Sequence, residues 1–150
     1  MKHLIKLPIL FATGGVLYAI MELLWRGHTH WTMIIVGGFC FVLLGLINEL
    51  YPWGMALVSQ MLISALLITV VEYITGLLVN VWLGWGVWDY SHMPYNLHGQ
   101  ICLLYSNLWF VLSAVGIVLD DWLRYWIDRL LIRLGVYVSR PAPKPRYKIL

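Results

Sequence analysis

Four stretches of this chain run for 19 residues or more with almost no charge, and that pattern leaves few folds open. A helix needs roughly 20 mostly apolar residues to cross a hydrocarbon core of about 30 Å. The stretches are Leu7 to Trp25, Trp31 to Leu50, Trp53 to about Leu83, and about Gln100 to Leu119, with Pro52 breaking the chain before the third. No strand-like alternation competes with them. In lipid every backbone polar group must be satisfied within the structure, so runs of this length fold as helices.

Composition agrees. The chain is 61% hydrophobic and 11% charged, with a mean hydropathy of +0.80; a soluble domain carries about 25% charged residues to face water. Its 150 residues give room for one domain. The expected fold class is an all-α integral membrane protein: four transmembrane helices, an ordered external loop and a C-terminal amphipathic helix. Lys2 to Ala19 imitates a secretory signal, but no small-x-small cleavage site follows and the apolar run continues to Trp25. It reads as a retained helix.

Orientation follows from the basic residues. Lys2 and Lys6 precede the first span, and Arg124, Arg129, Arg133, Arg140, Lys144, Arg146 and Lys148 follow the fourth; only Arg26 lies in the first loop. An even number of spans puts both termini on one side, and the positive-inside rule makes that side cytoplasmic. The third span, 31 residues, would measure about 46 Å as one straight helix. It is expected to tilt, or to project its last turn near Gly84 and Gly86.

Beyond Leu119, Asp121, Arg124 and Asp128 share one helical face while Trp122, Leu123, Trp126 and Leu130 share another, and Asp120 precedes Arg124 at i,i+4 spacing. Residues 120–134 therefore read as an interfacial helix on the inner leaflet or as a cytoplasmic extension of span four. The first domain is expected over 1–138. Residues 139–150, basic and Pro-containing, are expected as a disordered cytoplasmic tail drawn to anionic lipid.

Three features depart from a plain lipid-soluble bundle. The first is acid inside the spans, Glu22 and Glu72; such residues normally face the protein interior and carry function. The second is the ridge Thr75, Gly76 and Asn80, on one broad face with Glu72. Tight packing explains the glycine and threonine, with Gly76 allowing close approach of another backbone, but does not explain Glu72 with Asn80.

The third is the loop Trp85 to Gly99, too aromatic for a solvated linker and expected to pack back on the bundle. Trp82, Trp85 and Trp88 fit an interfacial aromatic belt. Asp89, Tyr90, Ser91 and Asn96 are polar groups among aromatics, which is how small-molecule sites are built. Ser106 and Asn107 lie about 10 Å below the outer start of span four. Glu22, Glu72, Thr75, Asn80, Trp88, Asp89, Tyr90, Ser91, Asn96, Ser106 and Asn107 are thus the candidate ligand-binding set, sharing one outward-facing pocket, with Glu72 turned toward span four near Asn107.

His28, His30, His92 and His98 fall on the same side, but H-x-H in a loop is a weak metal signal and no metal site is expected. Cys40 and Cys102 sit in apolar runs without CxxC spacing and read as buried structural thiols.

The strings Glu72-Tyr73-Ile74-Thr75-Gly76, Trp88-Asp89-Tyr90-Ser91, Pro94-Tyr95-Asn96, Gly99, Ile101-Cys102-Leu103, Ser106 and Trp109 closely resemble the signature of the CmpB-like ABC-transporter type IV membrane family. The resemblance extends more loosely to Glu22 and Gly37-Gly38-Phe39-Cys40, covering most of Glu22 to Tyr125. It implies a transport-related function. The chain departs from the family pattern at Asn80, where a second acid is common, and lacks the basic residue expected before Gly37-Gly38. No G-x4-G-K-[ST] occurs, so ABC activity would need a separate ATPase subunit. A bundle this small suggests a homodimer, for which Gly15 and Ala19 form a small-xxx-small pair.

The leading expectation is a transport-related membrane subunit that binds a small polar or cationic solute. A membrane-embedded enzyme using Glu72 and Asp89 as acid and base on a lipid- or quinone-like substrate is the alternative, and an accessory assembly protein the third. Ser91 and His92 are neighbours in sequence, which does not make a nucleophile–base pair; that lowers the enzyme reading without removing it. No cofactor is specified, the bilayer is the expected environment, and no nucleic-acid partner is expected. A cavity opening outward favours transport, one opening sideways favours the enzyme, and a filled bundle favours the accessory role.

Overall fold

The structure, a computed structural model, describes residues 2–51, 54–136, 138 and 141–149, with side chains from Lys6 onward. Pro52 and Trp53, the expected breaker and the expected start of span three, lie outside the described residues, as do Ser139 and Arg140. Four helices form the bundle: α1 (Lys2–Arg26), α2 (Trp31–Leu50), α3 (Leu57–Gly76) and α4 (Leu103–Arg133). Each is long and apolar enough to cross a membrane, α3 together with the turn that follows it.

α1 and α2 form a tight hairpin in which small residues let the backbones close up. A Cβ on Gly15 would strike the Ile34 carbonyl, one on Gly38 the Phe11 carbonyl, and one on Gly37 the Tyr18 side chain. Gly15, read as half of a self-association pair, is therefore engaged within the chain. α3 packs on α4 and α2 closes against both, whereas α1 and α4 touch only sparsely. Cys40, Leu44, Ala65, Ile68, Trp109 and Ile117 make the core. Both cysteines are free and buried.

The third span differs from the expected single helix. It starts at Leu57, and after Gly76 the helix widens into a π turn, Leu77–Trp82. Leu83 N–H donates to Leu78 O at 3.0 Å and Trp85 N–H to Val79 O at 3.0 Å. The wider turn shortens the span and changes its angular step. Asn80 there pins the loop: its Oδ1 accepts from Val87 N–H at 2.7 Å and its Nδ2 donates to Gln100 Oε1 at 2.9 Å.

The loop packs on the end of the bundle as expected. Two short antiparallel strands, β1 (Asn96–Leu97) and β2 (Ile101–Cys102), pair Asn96 with Cys102 and Leu97 with Ile101. The space that Gly76 leaves is filled by the side chains of Gln100 and Trp88, not by another helix backbone.

At the opposite end, residues 120–133 continue α4 without a break, and their polar face turns inward. Asp120, Asp121, Arg124 and Asp128 are buried while Trp126 and Leu130 are exposed. Lys6 Nζ meets Asp128 Oδ2 at 2.7 Å, which ties the start of α1 to the last turns of α4. Arg124 pairs with Asp120 and stands 3.7 Å from Glu49. Asn48 Nδ2 donates to Asp121 at 2.7 Å.

The tail, expected as disordered, instead lies across this end. Ala142 N–H donates to Asp128 at 2.7 Å, Tyr147 donates to Asp121 at 3.1 Å, and Lys148 and Ile149 carbonyls accept from Leu57 and Val58. Those two amides belong to the first turn of α3 and have no partner within their own helix. Burial pushes the Tyr147 phenol up, with Asp121 adding to the shift.

Candidate functional site

Glu72 lies on α3 one turn before the π segment and is 4% exposed. Its carboxyl reaches α4 and the loop at once: Trp109 Nε1 donates to Oε2 at 2.9 Å, and the Tyr90 hydroxyl to Oε1 at 3.2 Å. Each oxygen thus accepts one hydrogen bond, from a neutral donor. Among the described residues no cation pairs with it. Burial pushes the Tyr90 phenol far up, the Glu72 charge adding to the shift, so Tyr90 stays a donor. Its ring stacks on Tyr105 at 4.6 Å.

Glu72 heads a cavity of about 260 Å³ lined by the aromatics Tyr18, Phe41, Trp88 and Trp109, by Cys40 and Ser113, and by aliphatic side chains from all four helices. A second cavity of about 470 Å³ adjoins it and shares Leu17, Tyr18, Met21, Trp109 and Leu112. The exposed lining residues are Leu17, Ile20, Leu24 and Trp25 on α1 and Leu108 and Val115 on α4, so the opening lies along the side wall and reaches the loop end of α1. The groove therefore opens between α1 and α4, which touch only sparsely, toward the apolar surface of the spans.

The expected set divides. Glu72, Tyr90 and Trp88 come together; Trp88 is buried, its Nε1 donating to Gln100 O at 2.9 Å, unlike the exposed Trp82 and Trp85. Glu22 lines the second cavity but is engaged: Arg26 Nη2 stands 3.0 Å from Oε1, and Thr29 donates to Oε2. Ser106 accepts from Thr69 at 3.2 Å and ties α3 to α4. Thr75 is half-buried and joins none of these contacts. Asn107, the expected neighbour of Glu72, is exposed; Trp109 takes that place.

Asp89, Ser91 and Asn96 organise the loop. Asp89 accepts from Ser91 N–H at 2.8 Å and from its hydroxyl at 3.0 Å, and these bonds hold the Asp89 carboxyl below the usual range. Asn96 bonds Ser91 O, Met93 O and Gly99 N. With Asp89 exposed and Glu72 buried, the two carboxylates do not face a common space. The histidines hold local contacts: His28 with Arg26 O, His30 capping α2 through Thr32, and His98 with Tyr73. Among the described residues no three His, Cys, Asp or Glu side chains are grouped to hold a metal ion.

Tyr18 and Trp109 were not in the expected set. Each is an aromatic with a polar tip in mid-span, which reads as core, and only the amphipathic tip distinguishes it from phenylalanine. A bundle of four helices long and apolar enough to cross a membrane, with a buried carboxyl heading a groove in its side wall, defines a polytopic membrane protein. The chain belongs to the family described as "Putative ABC-transporter type IV", whose model matches residues 9–139. Neither curated proteins nor solved structures give a match to the chain.

Proposed function

We propose that this chain is a transport-related membrane subunit whose ligand engages Glu72 from the side groove. One observation carries this reading: a nearly fully buried carboxyl sits at the head of an apolar cavity, held by two neutral donors and no cation. Acids inside a span are expensive and are kept where they serve a pathway or ligand. The ligand set reduces to Glu72 with Tyr90 and Trp88, joined by Tyr18 and Trp109. Asp89, Ser91, Asn80 and Asn96 serve by holding the loop over it.

The sideways opening favours a ligand from the lipid phase over an aqueous solute, and by direction alone favours an enzyme acting on a lipid-like substrate. Acid–base chemistry lacks its second member, because no other carboxylate or histidine lines the Glu72 cavity among the described residues. ATP hydrolysis would come from a separate subunit. We place both termini in the cytoplasm on the distribution of Lys and Arg, with residues 1–138 as the membrane domain and 139–150 as a basic, Pro-containing cytoplasmic tail.

Native mass spectrometry of purified protein tests the site. Wild type should retain a small molecule that Glu72→Gln, equally folded, does not. Equal retention would overturn the reading.

A further inference from the structure

We infer that the groove takes a monocationic amphiphile, with an organic cation such as a quaternary ammonium at Glu72 and its alkyl chain lying between α1 and α4. This inference rests on the reading that Glu72 is a ligand site, and it names the ligand's class.

Charge comes first. Of the charged side chains lining the two adjoining cavities, Glu22 and Arg26 stand 3.0 Å apart and offset one another. Glu72 is then the one carboxylate without a counter-charge, so a ligand of a single positive charge balances the groove. A metal ion is a poor fit, because hard cations take six or more oxygen ligands and the inner cavity offers one carboxyl among apolar walls.

The walls narrow the class further. Tyr18 and Trp109 stand with ring centroids 6.0 Å apart at 30°, and Trp88 joins them around the same cavity as Glu72. Aromatic faces attract organic cations through the ring quadrupole, most strongly where water is excluded. A strongly hydrated ammonium would lose its water there, whereas an alkylated one already carries an apolar surface. Between Glu72 and the opening the lining along α1 and α4 is mostly apolar, through Leu17, Met21, Leu112 and Val115, which accommodates a chain. The polar groups of the second cavity, Glu22 and Arg26, lie toward the end of α1 and are paired with each other.

Dodecyltrimethylammonium is the probe. It would be titrated into wild-type protein in nanodiscs of zwitterionic lipid, with empty discs subtracted. Saturable binding is expected, at least about tenfold tighter than that of the uncharged isostere with carbon in place of nitrogen. Dodecyl sulfate should not compete. Glu72→Gln should weaken the cation by about tenfold or more, and Tyr18→Leu several-fold, without affecting the isostere. If the isostere binds as tightly, or dodecyl sulfate competes, while Glu72 still governs the retained molecule, the cation class is wrong and the site reading stands. If no amphiphile binds saturably, both fall. Should Glu72→Gln fail to fold, the comparison of cation with isostere on wild type decides by itself.

Discussion

The two ends of this bundle bury acid in opposite ways. At the tail end, Asp128 meets Lys6 and Asp120 meets Arg124, while Asp121, like Glu72, receives two neutral donors, Asn48 and Tyr147. Residues 141–149 lie across this end, and neither of the two cavities is lined by any of the three aspartates. At the loop end, Glu72 receives only Trp109 and Tyr90, and a groove leads away from it. A buried ion pair fixes geometry because losing one partner strands the other. A lone carboxyl with neutral donors at the head of a groove has no counter-charge within the bundle and is left to be matched by something that enters the groove. On the reading proposed above, the first arrangement is architecture and the second a site.

The largest effect should come from breaking the tail-end network. Asp128→Leu leaves Lys6 buried without a counter-charge, and we predict a loss of about 3–5 kcal/mol in folding stability. Lys6→Met combined with Asp128→Leu should recover most of it, since two apolar groups replace the pair. Denaturant titration in mild detergent checks both. If Asp128→Leu is as stable as wild type, the two ends do not differ as described.

A smaller loss is expected from Gly45→Ala. The Asp120 carboxyl rests against the bare α2 backbone at Gly45, and a Cβ there would collide with it. Forcing a methyl into that contact should destabilise by about 1–3 kcal/mol. The same substitution in a background of Asp120→Ala should be close to neutral, which a double-mutant cycle reads directly.

The smallest effect concerns the loop that covers the Glu72 end. The Asp89 carboxyl is held below its ordinary value by Ser91. A carboxyl whose folded pKa lies below its unfolded value, about 3.9 for Asp, stabilises the folded loop above that value, and the contribution fades as pH falls through the lower folded value. Amide protection at Ser91 should therefore decline below about pH 4 in wild type. In Asp89→Asn that acid step should be absent.

How much of this contrast is legible in sequence depends on what the residues report. Apolar length reports spans faithfully: α2 runs from Trp31 to Leu50 as read, because a loop and a break bound it. Glu72 stands out because an acid in mid-span has few bland explanations. A helical wheel tells which residues share a face but not where the face points. The polar face of 120–133 was read as facing water or headgroups, yet it turns inward, since Lys6, Asn48 and the tail supply its partners from distant positions. Asn80 was grouped with Glu72 by α-helical spacing, and the π turn from Leu77 breaks that spacing. Asn107 and Trp109 differ by two positions, opposite sides of one helix, and depth alone did not choose between them.

The central claim is that Glu72 serves a ligand rather than the fold, and Glu72→Gln tests it most directly when melting and ligand binding are read on the same preparation. The glutamine carbonyl can accept from Trp109 while its amide donates to the Tyr90 oxygen, since a phenol accepts as well as donates. The fold should therefore lose less than about 1 kcal/mol, while binding of the retained ligand and of dodecyltrimethylammonium collapses. A variant that melts far below wild type, or one that melts with wild type and binds as tightly, would contradict the account.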